Sequence, residues 1–224
     1  MSFLDDLKRQ AHDLQAVKSI DHAALARNTA LAEAAATEAC RYLAELAKHL
    51  EVIRPVSTTS YQFDAKTRLT GGQMEKFRFD ARRKRLRELD LTDHIAFGCV
   101  IRATDAIVLK KNFVPEIEKL EARLWQSGAS IAGEPVRDSD SGRLIEMKYE
   151  FVPEVWVGLK IVPNHDLGLL RFRLSNIDGL ETVECEFAPH EIGQRRLDEL
   201  ARWWLGQPHR FLDGASDVRR IEVK

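Results

Sequence analysis

YQFDAKTRLTGGQMEKFRFDAR, residues 61–82, is where the chain turns from helix to sheet. Tyr61, Phe63, Ala65, Thr67 and Leu69 alternate with Gln62, Asp64, Lys66 and Arg68. Beyond Gly71-Gly72, Phe77, Phe79 and Ala81 alternate with Lys76, Arg78, Asp80 and Arg82. A period of two puts the apolar set on one face of a strand and the polar set on the other. Glycine supplies the positive φ angles of a tight turn, so the stretch reads as a β-hairpin of an antiparallel sheet.

Upstream the period is helical. Residues 2–18 read as an amphipathic helix capped by Ser2, with a seam of Leu4, Leu7, Ala11 and Leu14. Asp21 reads as the N-cap of a second helix that stops near Arg54, before Pro55. Eleven alanines fall in the 25 residues 23–47, a very strong helix propensity. The expectation is a helical hairpin over 1–55. The small side chains of its long helix suit close packing on more than one side, so residues 21–54 are expected to form a homodimer interface.

Downstream, His94–Thr104 reads as a third strand with Ile95, Phe97, Cys99 and Ile101 inward. A helix is expected over Val114–Gln126, with Pro115 in its first turn and Gly128 past its end. Residues 133–142 read as a polar loop. Four strands follow, with inward sets Leu144, Met147, Tyr149 and Phe151; Val155, Val157, Leu159 and Ile161; Leu170, Phe172 and Leu174; and Val183, Cys185 and Phe187. A last helix is expected from Pro189 to Gly206. The fold class is therefore α+β: an N-terminal helical hairpin, then an antiparallel core in the order βββ-α-ββββ-α. Residues 56–212 form the core domain, and 213–224 a polar, flexible tail with a short strand at Val218–Val223.

With 34 Lys+Arg against 35 Asp+Glu, nothing at the level of the whole chain suggests a dedicated nucleic-acid or membrane-surface binder, and only a local patch could serve as one. Three cysteines without a CxxC pair, each in an apolar stretch, fit buried thiols in a reducing compartment. The first ten residues lack the apolar run of a signal peptide, and the longest uncharged apolar run is short. A soluble cytoplasmic protein with no membrane contact is expected.

Motifs for chemistry are absent. The acidic run Asp138–Gly142 fails the EF-hand pattern, because Arg143 and Tyr149 stand where a glycine and an acid are required. No HxH, HExxH, GxSxG, GxGxxG or P-loop spacing occurs, so no metal and no cofactor are expected. Trp125, Trp203 and Trp204 read as packing residues.

The strongest local signal is basic. Lys66, Arg68, Lys76, Arg78, Arg82, Arg83, Lys84, Arg85 and Arg87 face only Glu75 and Asp80 within their own segment. With Arg102, the residues Lys66, Arg68, Lys76, Arg78 and Arg82 are candidates for holding an anion or an acidic partner, over a shallow floor at Ala96 and Gly98. The leading expectation is a non-enzymatic homodimer that binds a partner protein or its acidic segment. A nucleic-acid or phospholigand binder using hairpin 66–87 is the second. An enzyme with a site between sheet and helices, using residues such as His94 or His190, is the third.

Overall fold

The computed structural model describes residues 3–129 and 131–222. Helix α1 (Phe3–Ile53) is followed by β1 (Tyr61–Gln62), β2 (Arg68–Leu69), β3 (Gln73–Leu86), β4 (Leu89–Arg102) and β5 (Ile107–Lys111). Then come α2 (Val114–Ser127), β6 (Glu134–Arg137), β7 (Leu144–Phe151), β8 (Glu154–Asn164), β9 (Leu169–Ser175) and β10 (Glu181–Phe187). A short 3-10 turn, α3 (Gln194–Trp204) and β11 (Ser216–Glu222) complete the chain. The main sheet has the order β11-β10-β9-β8-β4-β3 with antiparallel neighbours, and β5-β7-β6 form a second, smaller sheet. The protein is thus mixed helix and antiparallel sheet. No helix among the described residues is long and apolar enough to cross a membrane.

The expected helical hairpin is corrected: α1 is one helix of 51 residues, about 75 Å long at 1.5 Å per residue. Ser19-Ile20-Asp21-His22 holds neither glycine nor proline, and aspartate inside a helix costs only about 0.7 kcal/mol relative to alanine. Breaking the helix there would forfeit backbone bonds on both sides to realise one cap. The side chains of the expected seam at Leu4, Leu7, Ala11 and Leu14, and the cap at Ser2, lie outside what is described. α1 ends where Arg54 turns left-handed (φ +46°) ahead of Pro55. Its alanines have a use within the chain. Ala32 is buried, and Ala35, Ala36, Ala39 and Ala47 are buried with Leu43 and Leu50 in the core shared with the sheet, where small side chains let the helix lie close.

The hairpin is displaced as well. Residues 61–69 are not one strand but a small hairpin of their own, in which β1 pairs with β2. Asp64 makes the reversal by accepting the amides of Lys66 at 2.8 Å and Thr67 at 2.7 Å. Gly72 is needed for close approach, since a Cβ there would meet Ile101 Cγ2 at 2.7 Å. The long hairpin joins β3 to β4 and turns at Arg87-Glu88, both with positive φ (52° and 65°). That turn lacks the glycine or asparagine that announces this geometry.

Other corrections are smaller. β6 forms inside the stretch expected to be loop, pairing Glu134–Arg137 with β7, and β5 was not expected at all. The last helix is split, because Gly193 is extended between Pro189–Glu191 and α3. Residues 216–222 pair with β10 as the sheet's edge strand. Leu144, expected inward, is exposed, and so is Trp125, at 80%.

The inward sets of β4, β8, β9 and β10 are buried in one core with α1 and α3. Phe172, Phe187 and Phe211 pack edge-to-face at 5.1–5.5 Å, and Trp204 lies 4.6 Å from Phe97. Each such side chain contributes about 1.5–3 kcal/mol by leaving water.

Glu33 pins α1 to the far end of the sheet. It accepts the amide and hydroxyl of Thr92, both at 2.9 Å, and lies 3.3 Å from His165 Nε2 and from Arg83. Burial works against its ionisation, but the Thr92 bonds, His165 and the Arg83 charge together hold the carboxyl below its ordinary value. Glu33→Ala is expected to cost about 2 kcal/mol in denaturant unfolding at pH 7. Because the folded-state pKa is depressed, this contribution is complete above the unfolded value and fades as pH falls through the folded one. The gap between wild type and variant should therefore shrink below about pH 4.5.

Candidate functional site

The face of the six-stranded sheet turned away from α1 carries an open cleft of about 420 Å³. Register builds it in two rows. Arg78 on β3, Gly98 on β4, Gly158 on β8 and Ser175 on β9 stand side by side. The next row is Asp80, Ala96, Lys160 and Arg173, and Glu184 of β10 continues it. Strand alternation aims all of them outward, since their neighbours Phe97, Leu159 and Leu174 are buried in the core.

Trp156 forms the end of this cleft and lies down on its floor. A Cβ at Gly98 would be 2.4 Å from Trp156 Cζ2, and one at Gly158 would be 2.8 Å from Trp156 Nε1. The indole therefore rests against two glycines that leave it room, with 37% of the residue exposed. Its strand is fixed from behind. Asn176, buried and left-handed (φ +60°), donates through Nδ2 to the carbonyls of Trp156 and Gln126, each at 2.8 Å. The last turn of α2 is tied to β8 at this point.

The charges beside the platform are unevenly spent. Arg173 is 3.4 Å from Glu184, and Asp80 Oδ2 takes a 2.7 Å bond from Arg82 Nε. Among the described residues, no carboxylate lies within ion-pair distance of Arg78 or Lys160.

Of the residues singled out from sequence, Arg78 lines the cleft and the other five do not. Arg82 stands beside it, paired with Asp80. Lys76 sits at a bulge of β3, 3.8 Å from Glu75. Arg102 lies between Glu154 (3.1 Å) and Glu75 (3.9 Å). Lys66 and Arg68 belong to the small β1–β2 hairpin. The apparent shortage of acids is met from outside residues 66–87. Arg83 pairs with Asp90 and Glu33, Lys84 with Asp93, Arg85 with Glu88 and Arg87 with Asp166.

Trp156, Gly158, Lys160, Arg173 and Ser175 were missed. The signal was present: with Val155, Val157 and Leu159 inward, a tryptophan must face outward next to a glycine two residues on. The floor at Ala96 and Gly98 stands where it was expected, beside Arg78.

Other chemistry finds less support. His94 Nδ1 is 2.7 Å from Asp93, and the bond from His94, with Lys84 close by, holds that carboxyl below its usual range. His190 lines a 460 Å³ hollow at the start of α3, whose Arg196 and Glu199 are occupied with backbone groups of 210–213. Burial pushes the Cys99 and Cys185 thiols up to about 12, so both are protonated at neutral pH. Among the described residues, no group of three or more His, Cys, Asp or Glu is placed to hold a metal. Comparison with protein-family models, curated proteins and solved structures finds no match, so the site rests on its own geometry.

Proposed function

We propose that the chain binds a ligand made of a flat ring and a phosphate, a nucleotide either free or within a strand, on the open face of its sheet. The observation that carries this reading is Trp156 laid on Gly98 and Gly158 with its outer side in water. Stacking a base on such a ring contributes about 1–3 kcal/mol. Arg78, beside Gly98, and Lys160, two residues beyond Gly158, line the same cleft and offer positive charge to a phosphate attached to that ring, and charge-assisted bonds to phosphate are strong. An acidic protein segment would satisfy both cations but leave the indole uncovered. Among the described residues that line the cleft, no nucleophile has an adjacent base, and the reading proposed is one of binding.

Salt dependence tests it. Two phosphate contacts to a single strand give a slope of about −1.4 in log K against log salt, from roughly −0.7 per contact. Anisotropy of a labelled single-stranded oligonucleotide, titrated across a salt series, should return that shallow slope. Absence of binding would remove the strand form of the proposal. A slope several times steeper would move the site to other cations.

Self-association through residues 21–54 is a second reading, supported by one observation. Ala26, Ala30 and Ala34 of α1 line a groove of about 490 Å³ with Leu89 and Leu91, and Leu89 is half exposed. A second copy of α1 could lie close to that small-residue stripe. Light scattering at micromolar concentration should then give twice the chain mass, and a monomer would dismiss the idea.

A further inference from the structure

Asp80 is out of place in an anion site. It lines the cleft two residues from Arg78 on the same face of β3, in the row that holds Lys160. A carboxylate there repels a phosphate, and it opposes binding unless the ligand brings a hydrogen-bond donor to it. Arg82 Nε occupies one side of Oδ2, and among the described residues no other donor meets the carboxylate, so Oδ1 and a further lone pair can accept from a ligand. Nucleobases differ in what they would present to it. Guanine offers two adjacent donors, its ring N–H and its amino group. Cytosine and adenine each offer an amino group beside a ring acceptor. Uracil and thymine offer one imide N–H flanked by two carbonyl oxygens, both of which a carboxylate repels.

We infer that Asp80 makes the cleft selective for bases that carry an amino group, guanine foremost, over uracil and thymine. The inference rests on the nucleotide reading above. Trp156 stacks on any base, and the Ser175 hydroxyl opposite can donate or accept, so neither discriminates. The carboxylate can only accept. A well-made bidentate contact of this kind discriminates by about 1–3 kcal/mol, roughly 5- to 150-fold in affinity.

The test is a titration of GMP, CMP, AMP and UMP against the Trp125→Phe protein. Trp156 is then the exposed indole, while Trp203 and Trp204 are buried. Emission quenching should place GMP tightest and UMP weakest, separated by roughly 5- to 150-fold. Asp80→Asn should flatten that order and improve UMP, because an amide also donates. Arg82→Ala should keep the order, since it removes the ion pair and leaves the carboxylate. Equal binding of all four would overturn the inference and leave the nucleotide reading intact. A flattened order in Arg82→Ala would show Asp80 acting only through its ion pair, and would overturn the inference too. Binding of none would overturn the nucleotide reading itself.

Discussion

Reversing Arg78 and Lys160 together to glutamate is expected to weaken nucleotide binding more than 100-fold. Each cation is available to make a charge-assisted bond to phosphate, and such bonds contribute about 1.5–3 kcal/mol apiece. Losing both removes at least ~3 kcal/mol, already a factor above 100, before the new repulsion is added. Both side chains are exposed, so the melting temperature should hardly move. The same reversal at Lys84 and Arg85 is the control. Those residues are as basic but are already paired with Asp93 and Glu88. Their variant should lose little affinity, and a large loss there would return the site to the hairpin's far end.

Gly98→Val is expected to destabilise the protein by about 3 kcal/mol and to unseat the indole. The new Cβ would lie 2.4 Å from Trp156 Cζ2 and 2.8 Å from the carbonyl oxygen of Val157. The ring can swing away, but the backbone of β8 cannot move without breaking its pairing with β4. Gly158→Ala makes the informative contrast. Its nearest neighbours are all atoms of Trp156, with Nε1 at 2.8 Å, so the ring alone must give way. That variant should be nearly as stable as wild type yet bind nucleotide poorly. Adding Trp156→Ala should leave Gly158→Ala no less stable than Trp156→Ala alone, and should recover only part of what Gly98→Val loses, since the carbonyl oxygen of Val157 still lies 2.8 Å from the new Cβ at Gly98. Denaturant midpoints for the single and double variants measure both effects.

Period-two patterning was enough to name the inward residues of β4, β8, β9 and β10, because one buried face imposes register on each strand. It failed where local polar chemistry overrode it. Asp64 folded residues 61–69 back on themselves, although their alternation read as one strand. Arg87 and Glu88 took a turn conformation that their residue types do not advertise. The α1 hairpin was read from a cap preference at Asp21, which is weak against an uninterrupted helix. Charge was misjudged for a different reason. Arg83, Arg87 and Lys84 meet acids brought by α1, by the β8–β9 turn and by β4, and no local window reveals such partners. The cleft was legible in part. Arg78 beside Gly98 follows only if strand 94–104 pairs with 76–82, as β4 does with β3, and Trp156 and Lys160 needed the strand order that sets β8 beside β4.

The central claim is that Trp156 on its glycine floor is a stacking platform for a base. Its most direct test is emission from the Trp125→Phe protein during titration with GMP. Saturable quenching that disappears in the further Trp156→Phe variant is the expected result. Quenching that is absent, or that grows linearly with ligand and survives removal of Trp156, would contradict it.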